Sequence, residues 1–166
     1  MTQKLTIDHK QFQSIVAAIC RDIVLDDWRP DYIVGITRGG LLPAVLISHY
    51  LDVPMHTLKV SLRDTSDTES NCWMAEDAFN GKNILIVDDI NDSGATINWI
   101  MSDWQASAYP KDLKWNDIWG NNVRVAVIVD NLSSQSNLSA HYVGMEVNKA
   151  ENDVWIDFPY EDWWMK

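Results

Sequence analysis

Two short stretches of the chain combine residue types suited to phosphate and sugar chemistry. In Val87-Asp88-Asp89-Ile90-Asn91-Asp92-Ser93-Gly94-Ala95-Thr96, two adjacent carboxylates are followed after two spacers by a third acid and a run of small residues. Ser93 to Thr96 offers hydroxyls, a glycine that lets backbone approach a ligand, and amides left free at a helix start. An anion at an exposed helix end of this kind gains about 0.3–1 kcal/mol. Asp88 and Asp89 would repel a phosphate there unless they hold Mg²⁺ or bind sugar hydroxyls. An acidic pair alone would be read as an ordinary strand end. The whole string is better satisfied by a phosphorylated, hydroxylated ligand carrying a divalent cation. The second stretch, Thr37-Arg38-Gly39-Gly40, places a guanidinium beside two glycines. A planar donor fork next to accessible backbone suits a second anionic group.

The surrounding pattern says how these turns are held. Phe12, Ile15, Val16, Ile19 and Ile23 recur at helical spacing and predict a helix from an N-cap at Thr6 to about Leu25. Residues 32–37 read as a buried strand, 41–51 as a helix with Pro43 in its first turn, and 55–62 as a second strand. Residues 83–87 give the strongest strand signal, ending in Asp88-Asp89, and 95–105 read as a helix. Further strands are expected at 124–129 and 141–147, and residues 106–122 match no element. This alternation predicts an α/β fold with a mainly parallel, twisted sheet and helices on both faces. Ligands bind such sheets beyond the carboxyl ends of the strands. Both unusual turns fall on that edge.

Composition narrows the classes. The 166 residues carry a net charge of −11, which argues against nucleic acid as a partner. A phosphorylated ligand must then be drawn in by local amides, a helix end and a cation, against the overall field. No apolar run is long enough for a bilayer, and the first residues lack the pattern of a signal peptide, so no membrane partner and a cytoplasmic setting are expected. Two cysteines are too few for a disulfide framework, and four scattered histidines suggest no zinc site.

The string from Val87 to Thr96 resembles the phosphoribosyl-pyrophosphate motif of the type I phosphoribosyltransferases. Ile36-Thr37-Arg38-Gly39-Gly40-Leu41-Leu42-Pro43 is similar to the family's first loop. Trp155-Ile156-Asp157-Phe158-Pro159 is similar to the tail of the bacterial xanthine-guanine and hypoxanthine members. The resemblance implies an Mg²⁺-dependent transfer of a phosphoribosyl group to a purine base, releasing pyrophosphate, by a homodimer or homotetramer. It implies that Asp92, Ser93, Gly94, Ala95 and Thr96 hold the 5-phosphate, and that Thr37, Arg38 and Gly39 meet pyrophosphate, with a cis peptide between Arg38 and Gly39. Asp88 and Asp89 would lie at the ribose and metal, with Glu161 near a second metal. Asp92 would be the catalytic base, Trp155 would stack on the purine, and Ile156 would present backbone to its edge. One domain over 1–166 is expected, with a mobile cover at about 63–80 and a small C-terminal hood at about 148–166.

The match departs from the family at the base. Members that take 6-oxopurines usually carry a lysine at the end of the strand aligned with 125–129, where this chain has Asp130 followed by Asn131. A carboxylate cannot replace an ammonium donor. Three readings stay open. Asn131 donates through its amide, or Lys149 reaches in from the next connection, or Asp130 faces the base and the base itself differs. A different class of function also competes: a regulatory protein that senses phosphoribosyl pyrophosphate without turning it over. The acidic charge and the presence of both Arg38 and Asp92 weigh against it.

Overall fold

A computed structural model describes residues 2–60, 62 and 68–166. The chain begins with β1 (Gln3–Thr6) and α1 (His9–Leu25), followed by β2 (Tyr32–Thr37), α2 (Leu41–Leu51) and β3 (Met55–Lys59). Next come α3 (Cys72–Phe79), β4 (Ile84–Asn91), α4 (Ala95–Ser107) and α5 (Trp115–Ile118). The order closes with β5 (Val123–Asn131), β6 (Tyr142–Val147), β7 (Val154–Asp157) and a 3-10 turn at Trp163–Met165.

Five strands form a wholly parallel sheet in the order β3-β2-β4-β5-β6. Alternation along each strand divides the core in two. Ile33, Leu85, Val87, Ala126 and Ile128 face α1 and α2, packing on Phe12, Ile19, Ile23 and Ile47. Val34, Ile36, Ile84, Ile86, Val125 and Val127 face the other way, onto Met74 of α3, Ile97, Ile100 and Trp104 of α4, and Trp115 and Ile118 of α5. Helices therefore cover both faces, as the alternating pattern predicted. From β2 the chain runs to β3 on one side, then crosses back to β4 on the other side of β2. The carboxyl ends of β2 and β4 thus flank the point where the connections diverge, which is where open α/β sheets leave a crevice.

Several boundaries differ from the sequence reading. Asp8, not Thr6, caps α1: its side chain accepts from Gln11 N at 2.8 Å while Gln11 Oε1 accepts from Asp8 N at 2.9 Å. Thr6 belongs instead to β1, which pairs in parallel with β7, with Gln3 opposite Val154 and Thr6 opposite Asp157. This two-stranded sheet ties the chain's start to the segment expected to form a hood. Strand β3 stops at Lys59. The expected cover at 63–80 contains helix α3, capped by Asn71 Oδ1 accepting from Met74 N at 3.0 Å, while residues 63–67 lie outside the described residues. The unassigned stretch 106–122 holds α5, whose Trp115 is buried and donates its indole N–H to Ala108 O at 2.8 Å. Among the described residues no helix is long and apolar enough to cross a membrane.

Candidate active site

Strand β2 is buried from Tyr32 to Ile36 and ends at half-buried Thr37. The turn after it is closed by Gly40 N donating to Ile36 O at 2.8 Å and Leu41 N donating to Arg38 O at 3.0 Å. The cis peptide joins Thr37 to Arg38, one bond earlier than the Arg38–Gly39 position expected from the resemblance. It therefore sits where the strand hands over to the closed turn. Gly39 and Gly40 have different reasons to lack a side chain. A Cβ on Gly39 would overlap the Asp89 carboxyl, and one on Gly40 would run into Val87 O and Ile36 O. Arg38 is exposed, and among the described residues it forms no ion pair.

Strand β4 does not stop at the acidic pair but continues to Asn91, so Asp88 and Asp89 stand within the strand's last turn of pleat. Asp88 Oδ1 accepts from Asp89 N at 2.9 Å and Asp89 Oδ1 accepts from Ile90 N at 2.8 Å. Burial, and then the neighbouring charge of Asp89, push the Asp88 carboxyl well above the usual range. The Tyr160 hydroxyl lies 3.1 Å from Asp89 Oδ2 and 3.2 Å from Gly39 O. Burial and the Asp89 charge push that phenol upward as well. Glu161, next in the chain, is also raised, mainly by burial, although its Oε1 accepts from Phe158 N at 3.3 Å. No lysine or arginine forms an ion pair with Asp88, Asp89 or Glu161 among the described residues.

The segment after β4 enters α4 through Gly94, whose φ of +90° favours glycine. A Cβ there would also collide with the backbone of Ser136. Ser93 Oγ accepts from Ala95 N at 3.2 Å, and no side chain caps α4 at Gly94. The first-turn amides of a 13-residue helix therefore face the crevice with little internal satisfaction. The chain at 135–137 holds this turn from behind: Gln135 N donates to Ser93 O at 2.9 Å and Asn137 N to Asn98 Oδ1 at 2.7 Å.

At the end of β5, Asp130 and Asn131 are both committed to neighbouring groups. Asp130 Oδ1 accepts from Asn91 Nδ2 at 2.9 Å. Asn131 is buried, and its amide donates to Asp92 O at 2.9 Å. Its carbonyl accepts from Ser133 Oγ at 2.9 Å and from Lys149 N at 3.0 Å. Lys149 Nζ lies 3.1 Å from Asp92 Oδ1.

Three clefts meet along this edge. One, of about 630 Å³, is lined by Arg38, Gly39, Asp89, Tyr160, Glu161, Asp162 and Trp164. A second, of about 410 Å³, runs along the 88–97 segment, with Val60, Leu62 and Val127 at its walls. The third, of about 260 Å³, brings Asp92 and Lys149 together with Trp155, Ile156 and Glu161. Asp89 lines all three. Of the residues singled out from sequence, Thr37, Asp130 and Asn131 line none of them. Tyr160, which bridges the two turns, was missed. Its only signal was its place beside Pro159 in the aromatic tail.

A parallel α/β sheet with acidic, guanidinium and helix-end groups gathered at its switch point defines a class of phosphate-ligand proteins, and sequence comparison narrows it. Residues 6–163 match the model of the phosphoribosyl transferase domain. The chain belongs to that family. A xanthine-guanine phosphoribosyltransferase of Cereibacter sphaeroides is 28% identical over 139 residues, covering 81% of this chain and 70% of that protein. Xanthine phosphoribosyltransferase 1 of Saccharomyces cerevisiae is 23% identical over 125 residues, which is 61% of this chain and 60% of that protein's length. A crystal structure of a purine phosphoribosyltransferase from Pyrococcus horikoshii superposes with a TM-score of 0.67 over 95% of this chain and 94% of the other, at 22% identity.

Proposed function

We propose that the chain transfers the phosphoribosyl group of phosphoribosyl pyrophosphate to a purine, yielding a nucleoside monophosphate and pyrophosphate. One observation carries this reading: Asp89 lines three clefts that each suit one part of the reacting pair. The cleft of Arg38 and Gly39 offers a guanidinium for pyrophosphate. The segment from Asp92 to Thr96 offers helix-end amides and hydroxyls for the 5-phosphate. The cleft of Trp155 and Ile156 offers an aromatic face and a backbone edge for a flat base. Ribose would span the junction beside Asp88 and Asp89.

The carboxylates fit a divalent cation of the kind the family implies. Asp88 is pushed upward by burial and by Asp89, a strain that a nearby dication would relieve. No group of three or more possible ligands forms a ready-made cage among the described residues. That suits Mg²⁺, which keeps several waters and relies on substrate oxygens besides one or two carboxylates. Asp88 and Asp89 would hold it, and when bound it would offset the charge gathering on pyrophosphate.

The rest falls to the chain's own groups. Trp155 and Ile156 orient the base so that its N9 lone pair faces the anomeric carbon. As the N9–carbon bond forms, the carbon–oxygen bond breaks and its electron pair leaves on pyrophosphate. The proton on N7 passes to the carboxylate of Asp92, which stands at the mouth of the base cleft. Arg38 and the turn amides receive the developing charge on the leaving group. The reading is tested by incubating the protein with Mg²⁺, phosphoribosyl pyrophosphate and each natural base in turn. A purine nucleotide should form in at least one reaction. Intact phosphoribosyl pyrophosphate in all of them would overturn the assignment.

A further inference from the structure

The carbonyl of Gly39 needs a donor that its own helix cannot supply. Continuing the α2 pattern, it would accept from the amide four positions on, but that position is Pro43, which has no N–H. The neighbouring pair shows the bond that is missing, since Ala44 N donates to Gly40 O at 3.1 Å. Tyr160 fills the gap from the aromatic tail. Its hydroxyl lies 3.2 Å from Gly39 O, and among the described residues no other group donates to that oxygen. The ring is fixed by packing: it meets Phe12 of α1 edge-on at 5.8 Å between centroids and stacks on Phe158 at 5.5 Å.

The same hydroxyl lies 3.1 Å from Asp89 Oδ2. A phenol carries one proton, so the two acceptors compete for it. An ionised carboxylate is the stronger acceptor and takes the larger share while its charge is unmatched. The Gly39 carbonyl is then held only in part.

We infer that Tyr160 couples the two halves of the site: once a divalent cation engages Asp89, the phenol gives its hydrogen bond to Gly39 O and fixes the turn that meets pyrophosphate. The inference rests on the transferase reading, which puts the cation at Asp88 and Asp89 and pyrophosphate at Arg38 and Gly39, and it deepens that reading. A carboxylate whose charge is matched accepts less strongly, which frees the proton for the carbonyl. Arg38, Gly39, Asp89 and Tyr160 line one cleft, so the change needs a rotation of the hydroxyl about its C–O bond and no movement of the chain. The coupling is reciprocal: pyrophosphate on the anchored turn strengthens the hold of Asp89 on the cation by the same factor. Tyr160 acts through Gly39 and Asp89 and is therefore a positioning residue.

The test is calorimetric and needs no turnover. Pyrophosphate is titrated into the wild-type chain and into Tyr160→Phe, which keeps the packed ring and loses only the hydroxyl. Two Mg²⁺ concentrations are used, one just sufficient for measurable binding to the wild type and one saturating. Complexes of Mg²⁺ with pyrophosphate in solution are the same for both proteins, so a difference between the proteins belongs to Tyr160. At the lower concentration the two affinities should agree within about twofold. At saturation the wild type should bind at least about fivefold more tightly. Ribose 5-phosphate, which would sit on the α4 end of the site, should bind both proteins within about twofold. A difference in pyrophosphate affinity that does not grow with Mg²⁺ overturns the inference, whatever its size, and so does an equal loss for ribose 5-phosphate. If pyrophosphate binds the wild-type chain at no Mg²⁺ concentration, the transferase reading itself fails and takes the inference with it.

Discussion

Gly39 and Asp89 are packed so closely that a Cβ on the glycine would occupy the space of the aspartate carboxyl. Gly39 lies in the turn after β2 and Asp89 in β4, and their contact sets the distance between the guanidinium turn and the acidic pair. The Tyr160 hydroxyl, 3.1 Å from Asp89 Oδ2 and 3.2 Å from Gly39 O, closes the same junction from the aromatic tail.

Gly39→Ala should therefore act on catalysis rather than folding. The new methyl displaces Asp89 or lifts the turn, and a misplacement near 1 Å can lower kcat/KM by about 100-fold. The site lies at a solvent-facing crevice, so the melting temperature should move by no more than about 2 °C. A variant with wild-type kcat/KM would show that the Gly39–Asp89 contact has no catalytic importance.

Asp88 predicts a pH dependence of the ligand-free protein. Its carboxyl ordinarily ionises near 3.8, and burial together with Asp89 raises it well above that in the fold. A raised carboxyl binds its proton more tightly folded than unfolded. Its contribution is fully present below 3.8 and is lost as pH rises through the folded value. The Asp88 contribution to ligand-free stability should accordingly decline as pH climbs from the acid side towards neutrality, and Asp88→Asn should remove that part of the pH dependence and raise the melting temperature at pH 7. The same substitution, combined with Asp89→Asn, should abolish the added stability given by phosphoribosyl pyrophosphate with Mg²⁺. Melting curves across pH, with and without both ligands, check each part. A double variant that ligand still stabilises fully would remove these carboxylates from the site.

Much of this geometry could be read in the chain beforehand, and what could not has a physical reason. The run Ile84 to Val87 is apolar without interruption because β4 is central and buried on both faces, so it stands out in any window. The turns after β2 and β4 were legible because glycine, arginine and acids cluster there against that background. Strand β1 was missed because its four residues are exposed or half-buried and its partner lies 151 positions away. Helix α3 was hidden by the polar residues that precede it, although Asn71 is a sound cap. Tyr160 escaped because it acts through contacts between segments distant in sequence and leaves no local pattern.

Asp130 gives a prediction in the opposite direction from its sequence-based suspicion. Its carboxylate is held by Asn91 and lines none of the clefts around Asp89. Asp130→Asn should leave the preference among bases within about twofold, under about 0.5 kcal/mol. Competition between hypoxanthine and adenine in one reaction reads this ratio directly. A larger shift would return Asp130 to the base site.

One measurement separates chemical transfer from binding alone. Phosphoribosyl pyrophosphate, Mg²⁺ and guanine are incubated with the protein, and nucleotide and pyrophosphate are quantified in the same samples over time. Both should appear in equal amounts, at a rate proportional to protein, and neither should appear with the Asp88→Asn, Asp89→Asn double variant. Contradiction would come from phosphoribosyl pyrophosphate that binds and stabilises the chain yet remains intact with guanine, hypoxanthine and xanthine alike.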